Sequence, residues 1–295
     1  MELLKQILIP AFWFIILGGG IGVALAFASR VFAVNVDEKI EEIKAYLPGA
    51  NCGGCGYTSC EALAAAISKG EAKPTSCTAT GIEAAKEIGR ITGAEVESTV
   101  RMRAQVMCSG TAEHSKKKYV YGGIPDCIAA ARLGGGDKLC PNGCTGLGTC
   151  VESCQFGAIK VENGVAVVDY SKCMGCGVCV RACPKHIIKL IPFDSYHWVG
   201  CMSVENGKTT RSYCDVGCIS CRMCEKACPE KAITVNDFVA SIDYSKCTGC
   251  DMCTSKCPRK IIWSAHAQKK HGLIITRVDE DAPEVTAKTT PPSET

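Results

Sequence analysis

Aromatic side chains make up only 6% of this 295-residue chain, and they do not interleave with basic residues as RNA or single-strand binding requires. An excess of charge of one sign is also lacking. The formal net charge is +3, so no field directs the protein to nucleic acid, and the run Lys116, Lys117, Lys118 reads as a solvated face. The five histidines are scattered with no metal-ligand pairing, which leaves them without a catalytic assignment. The stretch Gly134-Gly135-Gly136-Asp137-Lys138 lacks the Gly-x4-Gly-Lys-Ser/Thr frame of a phosphate loop, and no dinucleotide fingerprint follows a strand. Nothing in the chain offers a place for hydride chemistry, and no catalytic residue is assigned.

Cysteine is what the chain has in excess, 24 in all. Disulfide frameworks belong to short secreted domains, whereas these cysteines cluster at short gaps that favour a shared metal. Three runs share one pattern: Cys173, Cys176, Cys179, Cys183-Pro184; Cys218, Cys221, Cys224, Cys228-Pro229; and Cys247, Cys250, Cys253, Cys257-Pro258. This is the bacterial [4Fe–4S] ferredoxin spacing, in which the fourth cysteine ligates the other cluster of a pair. Zinc sites use two pairs of Cys, or Cys with His, and have no need of three Cys at two-residue gaps followed by Cys-Pro.

The crossed rule assigns one cluster to Cys218, Cys221, Cys224 and Cys257, and another to Cys247, Cys250, Cys253 and Cys228. The chain also repeats itself, Asp169-Tyr170-Ser171-Lys172-Cys173 returning as Asp243-Tyr244-Ser245-Lys246-Cys247. In the earlier copy Leu147 stands where Cys221 stands in the later one, so a ligand is missing from its usual place, and Cys140 is the natural substitute. This assigns Cys140, Cys144, Cys150 and Cys183 to one cluster, and Cys173, Cys176, Cys179 and Cys154 to the next. Gln155 replaces the proline after Cys154. A further group, Cys52-x2-Cys55-x4-Cys60-x16-Cys77, gives five clusters. Cys108, Cys127, Cys201 and Cys214 remain, and the repeat pairs Cys127 with Cys201 and Cys140 with Cys214. They are ligands of a sixth cluster or buried free thiols.

From Ile7 to Ser29 no residue is charged. As a helix this run extends roughly 34 Å, enough for a hydrocarbon core of about 30 Å, and is longer than a usual signal-peptide core, although Ala26-Phe27-Ala28 resembles a cleavage site. The expected architecture is α+β, in small metal-stabilised domains. Residues 1–30 form a single-pass transmembrane anchor in lipid and 31–48 an amphipathic helix carrying Val36, Ile40, Ile43 and Leu47. Residues 49–105 form a helical 4Fe-4S domain, 106–195 and 196–270 two ferredoxin-like units, and 271–295 a disordered tail. Clusters assembled by cytosolic machinery put everything after the anchor on the cytoplasmic side of the cell membrane.

An apolar amino-terminal helix, then Asn51-Cys52-Gly53-Gly54-Cys55-Gly56 with the 4-16 continuation to Cys60 and Cys77, then ferredoxin runs, together resemble the B subunit of the Rnf complexes. These are ion-translocating ferredoxin:NAD oxidoreductases, and the second ferredoxin unit resembles the longer form of that subunit. The resemblance implies electron transfer from soluble ferredoxin towards flavin-bearing membrane partners and an NAD-reducing subunit. The ferredoxin runs alone equally allow a membrane-tethered polyferredoxin serving a hydrogenase or another dehydrogenase.

Overall fold

A computed structural model of the chain describes residues 2–31, 37–96, 100–195, 197–264, 269–270 and 273–274. The first helix, α1, runs Glu2–Val31 and includes the whole uncharged run. Between Phe12 and Arg30 it is long and apolar enough to cross a membrane, with its apolar side chains exposed. A helix is the single-segment answer to hydrocarbon because every backbone N–H and C=O in its interior is paired within the segment. Val36 of the amphipathic pattern lies outside the described residues. The rest of that pattern runs through α2, Glu38–Ala45, which buries Ile43, and on to the buried Leu47.

Residues 43 onward form a separate compact body. In its first part α3, Cys60–Ser68, starts where Ser59 accepts a hydrogen bond from the Ala62 amide at 3.0 Å, and it buries Leu63, Ala64, Ala66 and Ile67. The next helix, α4, spans Ile82–Thr92 and ends at Gly93, whose φ of 73° suits a left-handed cap.

The rest of the body is built from short pieces. Strand β1, Met102–Val106, leads to α5, Cys127–Arg132, and α6, Thr149–Glu152. The hairpin of β2, Ile159–Glu162, and β3, Val165–Val168, turns on Asn163-Gly164, both at positive φ, the pair that favours a tight right-twisted hairpin. Helix α7, Val178–Ala182, and strand β4, Ile188–Pro192, complete the first unit. β4 pairs antiparallel with β1 from Met102↔Pro192 to Val106↔Ile188. The second unit comprises β5, His197–Val199; α8, Gly207–Tyr213; α9, Met223–Ala227; the hairpin of β6, Ile233–Asn236, and β7, Val239–Ile242; α10, Met252–Lys256; and β8, Ile262–Ser264, which pairs with β5. Two short strands, β9 at Lys269–Lys270 and β10 at Leu273–Ile274, pair beyond it. Apart from Leu273 and Ile274, the expected tail lies outside the described residues.

The sequence repeat is a structural one. Thr149 and Met223, Ile159 and Ile233, Val165 and Val239, Val178 and Met252, and Ile188 and Ile262 begin equivalent elements. The closing strand breaks the rule. The counterpart of β5 in the earlier copy is residues 123–125, which form no strand, and β1 takes its place from well upstream. β1 thereby crosses the domain boundary expected at residue 106. The intervening segment carries Cys108, Cys127 and Lys138.

The two units share a core. Trp198 of β5 and Trp263 of β8 stack with centroids 6.1 Å apart and planes 3° from parallel, and Tyr170 of the first unit meets Trp198 edge-on at 6.3 Å. The Arg103 guanidinium lies 3.8 Å over the Tyr170 ring and donates to Gln105 and to the Phe193 and Ser195 carbonyls. The Trp263 indole N–H donates to Ser109 at 2.8 Å. Removing Trp263 leaves both a cavity and an orphaned hydroxyl. The variant Trp263→Ala is expected to lose about 3–5 kcal/mol of stability. Anoxic denaturant unfolding followed by circular dichroism measures it, and a loss below about 1 kcal/mol contradicts a shared aromatic core.

Candidate metal centres

Four loops share one backbone path. The second and fourth residues after the first cysteine of each turn into left-handed φ: Gly146 and Gly148, Gly175 and Gly177, Ser220 and Arg222, Gly249 and Asp251. Each turn after the fourth cysteine repeats as well. Gly157, His186, Lys231 and Lys260 have positive φ, and their amides donate to the carbonyls of Cys154, Cys183, Cys228 and Cys257 at 3.1–3.3 Å. Left-handed φ at a non-glycine residue costs roughly 1–3 kcal/mol, which the unit must offset elsewhere. Two departures in the sequence leave the backbone unchanged: Leu147 sits on the cluster path without a thiol, and Gln155 keeps the turn that proline makes in the other copies.

The thiols then gather in sets drawn from distant parts of the chain. Cys218, Cys221, Cys224 and Cys257 line one cavity. Cys228, Cys247, Cys250 and Cys253 line another. Both are the crossed sets. In the first unit, burial followed by the charges of Cys173, Cys176 and Cys154 pushes Cys179 up to about 12. Burial and then the nearby Cys127, Cys183 and Cys179 push Cys150 up to about 12. Cys127 is thus among the thiols whose charge bears on Cys150, and its amide donates to the Thr149 hydroxyl at 2.7 Å.

Cys140 lies elsewhere. It lines a cavity together with Cys108, Cys201 and Cys214. Burial and then Cys108 push it up to about 11, with Cys214 adding to the effect. Proximity in sequence to Cys144 points to Cys140; the fold instead carries it outward and brings α5 and Cys127 in. The signal that could have found this is the repeat itself, which sets Cys140 beside Cys214.

Among the described residues no three His, Cys, Asp or Glu side chains close to single-ion spacing. A mononuclear zinc, with Zn–S bonds of about 2.3 Å, would hold its sulfurs roughly 4 Å apart. Sets of four thiols suit a cubane cluster, and backbone amides already point at the sulfurs: Ala104 at Cys173 (3.4 Å), Ala166 at Cys144 (3.5 Å) and Ala232 at Cys228 (3.3 Å). Such N–H···S bonds favour the reduced, more negative state. Buried thiols pushed up to about 12, as at Cys224, bind metal only by releasing protons, so loading supplies the cation that makes the thiolates stable.

In the amino-terminal domain the Asn51 side chain accepts from the Cys60 amide at 2.7 Å, fixing the Cys52–Cys55 loop to the start of α3. Cys77 is buried; Cys52, Cys55 and Cys60 are half-buried. This loop packs on the Cys173–Cys179 loop. Arg181 donates to the carbonyls of Gly53 at 3.2 Å and Gly54 at 3.4 Å, and the Thr78 hydroxyl donates to the Gly175 carbonyl at 3.2 Å. A Cβ on Gly54 would come within 2.6 Å of the Cys176 carbonyl oxygen, so only glycine allows the approach.

Comparison with known proteins agrees with this arrangement. Residues 47–79 match a family described as a putative Fe-S cluster, 166–189 the 4Fe-4S binding domain and 217–261 the 4Fe-4S dicluster domain. The chain is 42% identical over 246 residues to the B subunit of the Na(+)-translocating ferredoxin:NAD(+) oxidoreductase complex of Acetobacterium woodii, covering 83% of this chain and 74% of that one. It is 42% identical to the B subunit of the ion-translocating oxidoreductase complex of Methanosarcina acetivorans, over 78% and 88% of the two chains. It is also 42% identical to the B subunit of the proton-translocating ferredoxin:NAD(+) oxidoreductase complex of Clostridium ljungdahlii, over 79% and 82%. With these relatives matched over most of their length, the chain belongs to the family of B subunits of the ion-translocating Rnf complexes, as an iron–sulfur electron-transfer subunit.

Proposed function

We propose that this chain takes electrons from reduced soluble ferredoxin and relays them to the flavin- and NAD-binding subunits of its complex. In this reading α1 sits in the cell membrane, the body after it lies on the cytoplasmic side, and the reaction with NAD belongs to other subunits. Ion movement also belongs to them, because the uncharged run of α1 has no group to carry an ion. The observation that carries the proposal is the direct packing of the Cys52–Cys55 loop on the Cys173–Cys179 loop, which puts two thiol sets side by side.

Five ligand sets follow: Cys52, Cys55, Cys60 and Cys77; Cys127, Cys144, Cys150 and Cys183; Cys154, Cys173, Cys176 and Cys179; Cys218, Cys221, Cys224 and Cys257; and Cys228, Cys247, Cys250 and Cys253. Cys127 stands here in the place expected for Cys140, because it lies by Cys150 and Cys140 does not. A [4Fe–4S] cluster held by four thiolates exchanges single electrons and has no open position for substrate. The protein's own part is to hold the thiolates, aim amides at them and keep water from the more deeply buried sets.

Purification of the complex in mild detergent under anoxic conditions is expected to bring down multi-span, flavin-binding subunits; a soluble hydrogenase as the sole partner contradicts the proposal. Replacement of Cys55 by Ala is expected to abolish ferredoxin-driven NAD reduction while the chain stays with the membrane fraction. Normal reduction in that variant refutes an obligatory role for the amino-terminal set. The variant Gly54→Val must part the two loops, at a cost of about 1–3 kcal/mol. Faster amide exchange over residues 51–56 and 173–179, with slower electron delivery, is the expected result, and unchanged exchange contradicts the packing.

A further inference from the structure

Once each of the five sets has four cysteines, the four that remain are those around one cavity. We infer that Cys108, Cys140, Cys201 and Cys214 hold a sixth [4Fe–4S] cluster joining the two ferredoxin units, with the ammonium of Lys138 as its fixed buried counter-charge. This rests on the reading of the other thiol sets as iron–sulfur sites.

Duplication explains how spare thiols arose. Cys140 and Cys214 are copies of one another, each on the approach to the first cysteine of its loop, Cys144 and Cys218, and neither motif cluster uses them. Cys127 and Cys201 are likewise copies. In the first unit Leu147 leaves a gap that Cys127 fills; in the second, Cys221 is present and Cys201 is released. Cys108, just beyond β1 in the segment that breaks the repeat, supplies the fourth. Both of its neighbours in the wire are in contact. The Cys144 amide donates to the Cys108 sulfur at 3.4 Å, and the Cys218 amide donates to the Cys201 sulfur at 3.3 Å. The first ligand of a cluster in each unit thus touches this site.

The cavity is built like its neighbours. Like the two motif cavities, it is lined by four thiols brought from separate parts of the chain. A Cβ placed on Gly110 would stand 3.5 Å from the Cys214 sulfur and 3.7 Å from the Cys108 sulfur. The Ser203 amide also donates to Cys201, at 3.4 Å.

Lys138 is the independent observation. It is only 4% exposed, and its Nζ donates to the carbonyls of Gly110 at 2.7 Å and Gly164 at 2.9 Å. The adjacent Asp137 pairs with Lys117 at 2.8 Å instead, and among the described residues no carboxylate lies within ion-pair distance of Lys138. A buried ammonium without an anion is costly. Its charge bears on Cys140, Cys214 and Cys144, so four thiolates around iron would provide the missing negative charge.

The test is iron and acid-labile sulfide per chain in the anoxically purified complex, with the chain's contribution obtained by comparison with complex lacking the cluster ligands. About 24 iron atoms are expected for this chain, against about 20 without the sixth site. The double variant Cys108→Ala/Cys201→Ala is expected to lose four irons and one reducible signal in paramagnetic resonance, while the other signals persist and show that the body has folded. A wild-type count near 20 that the double variant leaves unchanged overturns the inference and spares the proposed function; absence of iron altogether overturns both. Lys138→Met is expected to keep the wild-type iron count and shift one redox transition to more negative potential. If no transition moves, Lys138 is not the counter-charge.

Discussion

Sulfur held in crossed sets is the constraint on which the rest depends. In the second unit the fourth thiol of each loop lies with the three of the other loop: Cys257 lines the cavity of Cys218, Cys221 and Cys224, and Cys228 that of Cys247, Cys250 and Cys253. A metal bound there does the work of a tertiary contact, and this explains how a body with such short strands and helices is organised at all. The elements between the loops are minimal: four-residue hairpin strands and helices of four or five residues. Binding free energy of metal to such sites is folding free energy.

A second consequence is continuity. The amino-terminal loop rests on the Cys173–Cys179 loop through Arg181 and the bare face of Gly54, and the units are joined by the Trp198–Trp263 stack with Arg103 and Tyr170 against it. The thiol cavity around Cys140 lies at the same junction, touching Cys144 on one side and Cys218 on the other. Contacts between thiol-bearing loops thus recur from the amino-terminal domain to the junction of the two units.

Much of this was legible in the sequence. The uncharged run Ile7 to Ser29 announced α1, and the internal repeat announced equivalent elements from α6 to β8. In the second unit the cysteine runs and the crossed rule point to the same thiols that line the two cavities, because a two-residue gap fixes which sulfurs share a loop. What spacing does not encode is which distant thiol fills a gap. Cys127 lies well before Cys144 in the chain, and the hydrogen bonds among Cys127, Thr149 and Asp126 hold the start of α5 to α6. β1 was equally hidden, since its partner β4 lies far along the chain and its place in the repeat is irregular. Lys138 gave no sign in the sequence beyond a stretch that fails as a phosphate loop; its burial is a property of the assembled junction.

The central claim is that these thiols grip iron and sulfide rather than a lone ion or each other. Mössbauer spectroscopy of iron-57-enriched protein, isolated without oxygen and assayed in parallel for zinc and acid-labile sulfide, tests it most directly. The expected result is a brown protein whose iron is all in cubane clusters, with sulfide equal to iron and zinc absent. Colourless protein carrying zinc, or carrying thiols paired as disulfides with no sulfide, would contradict it.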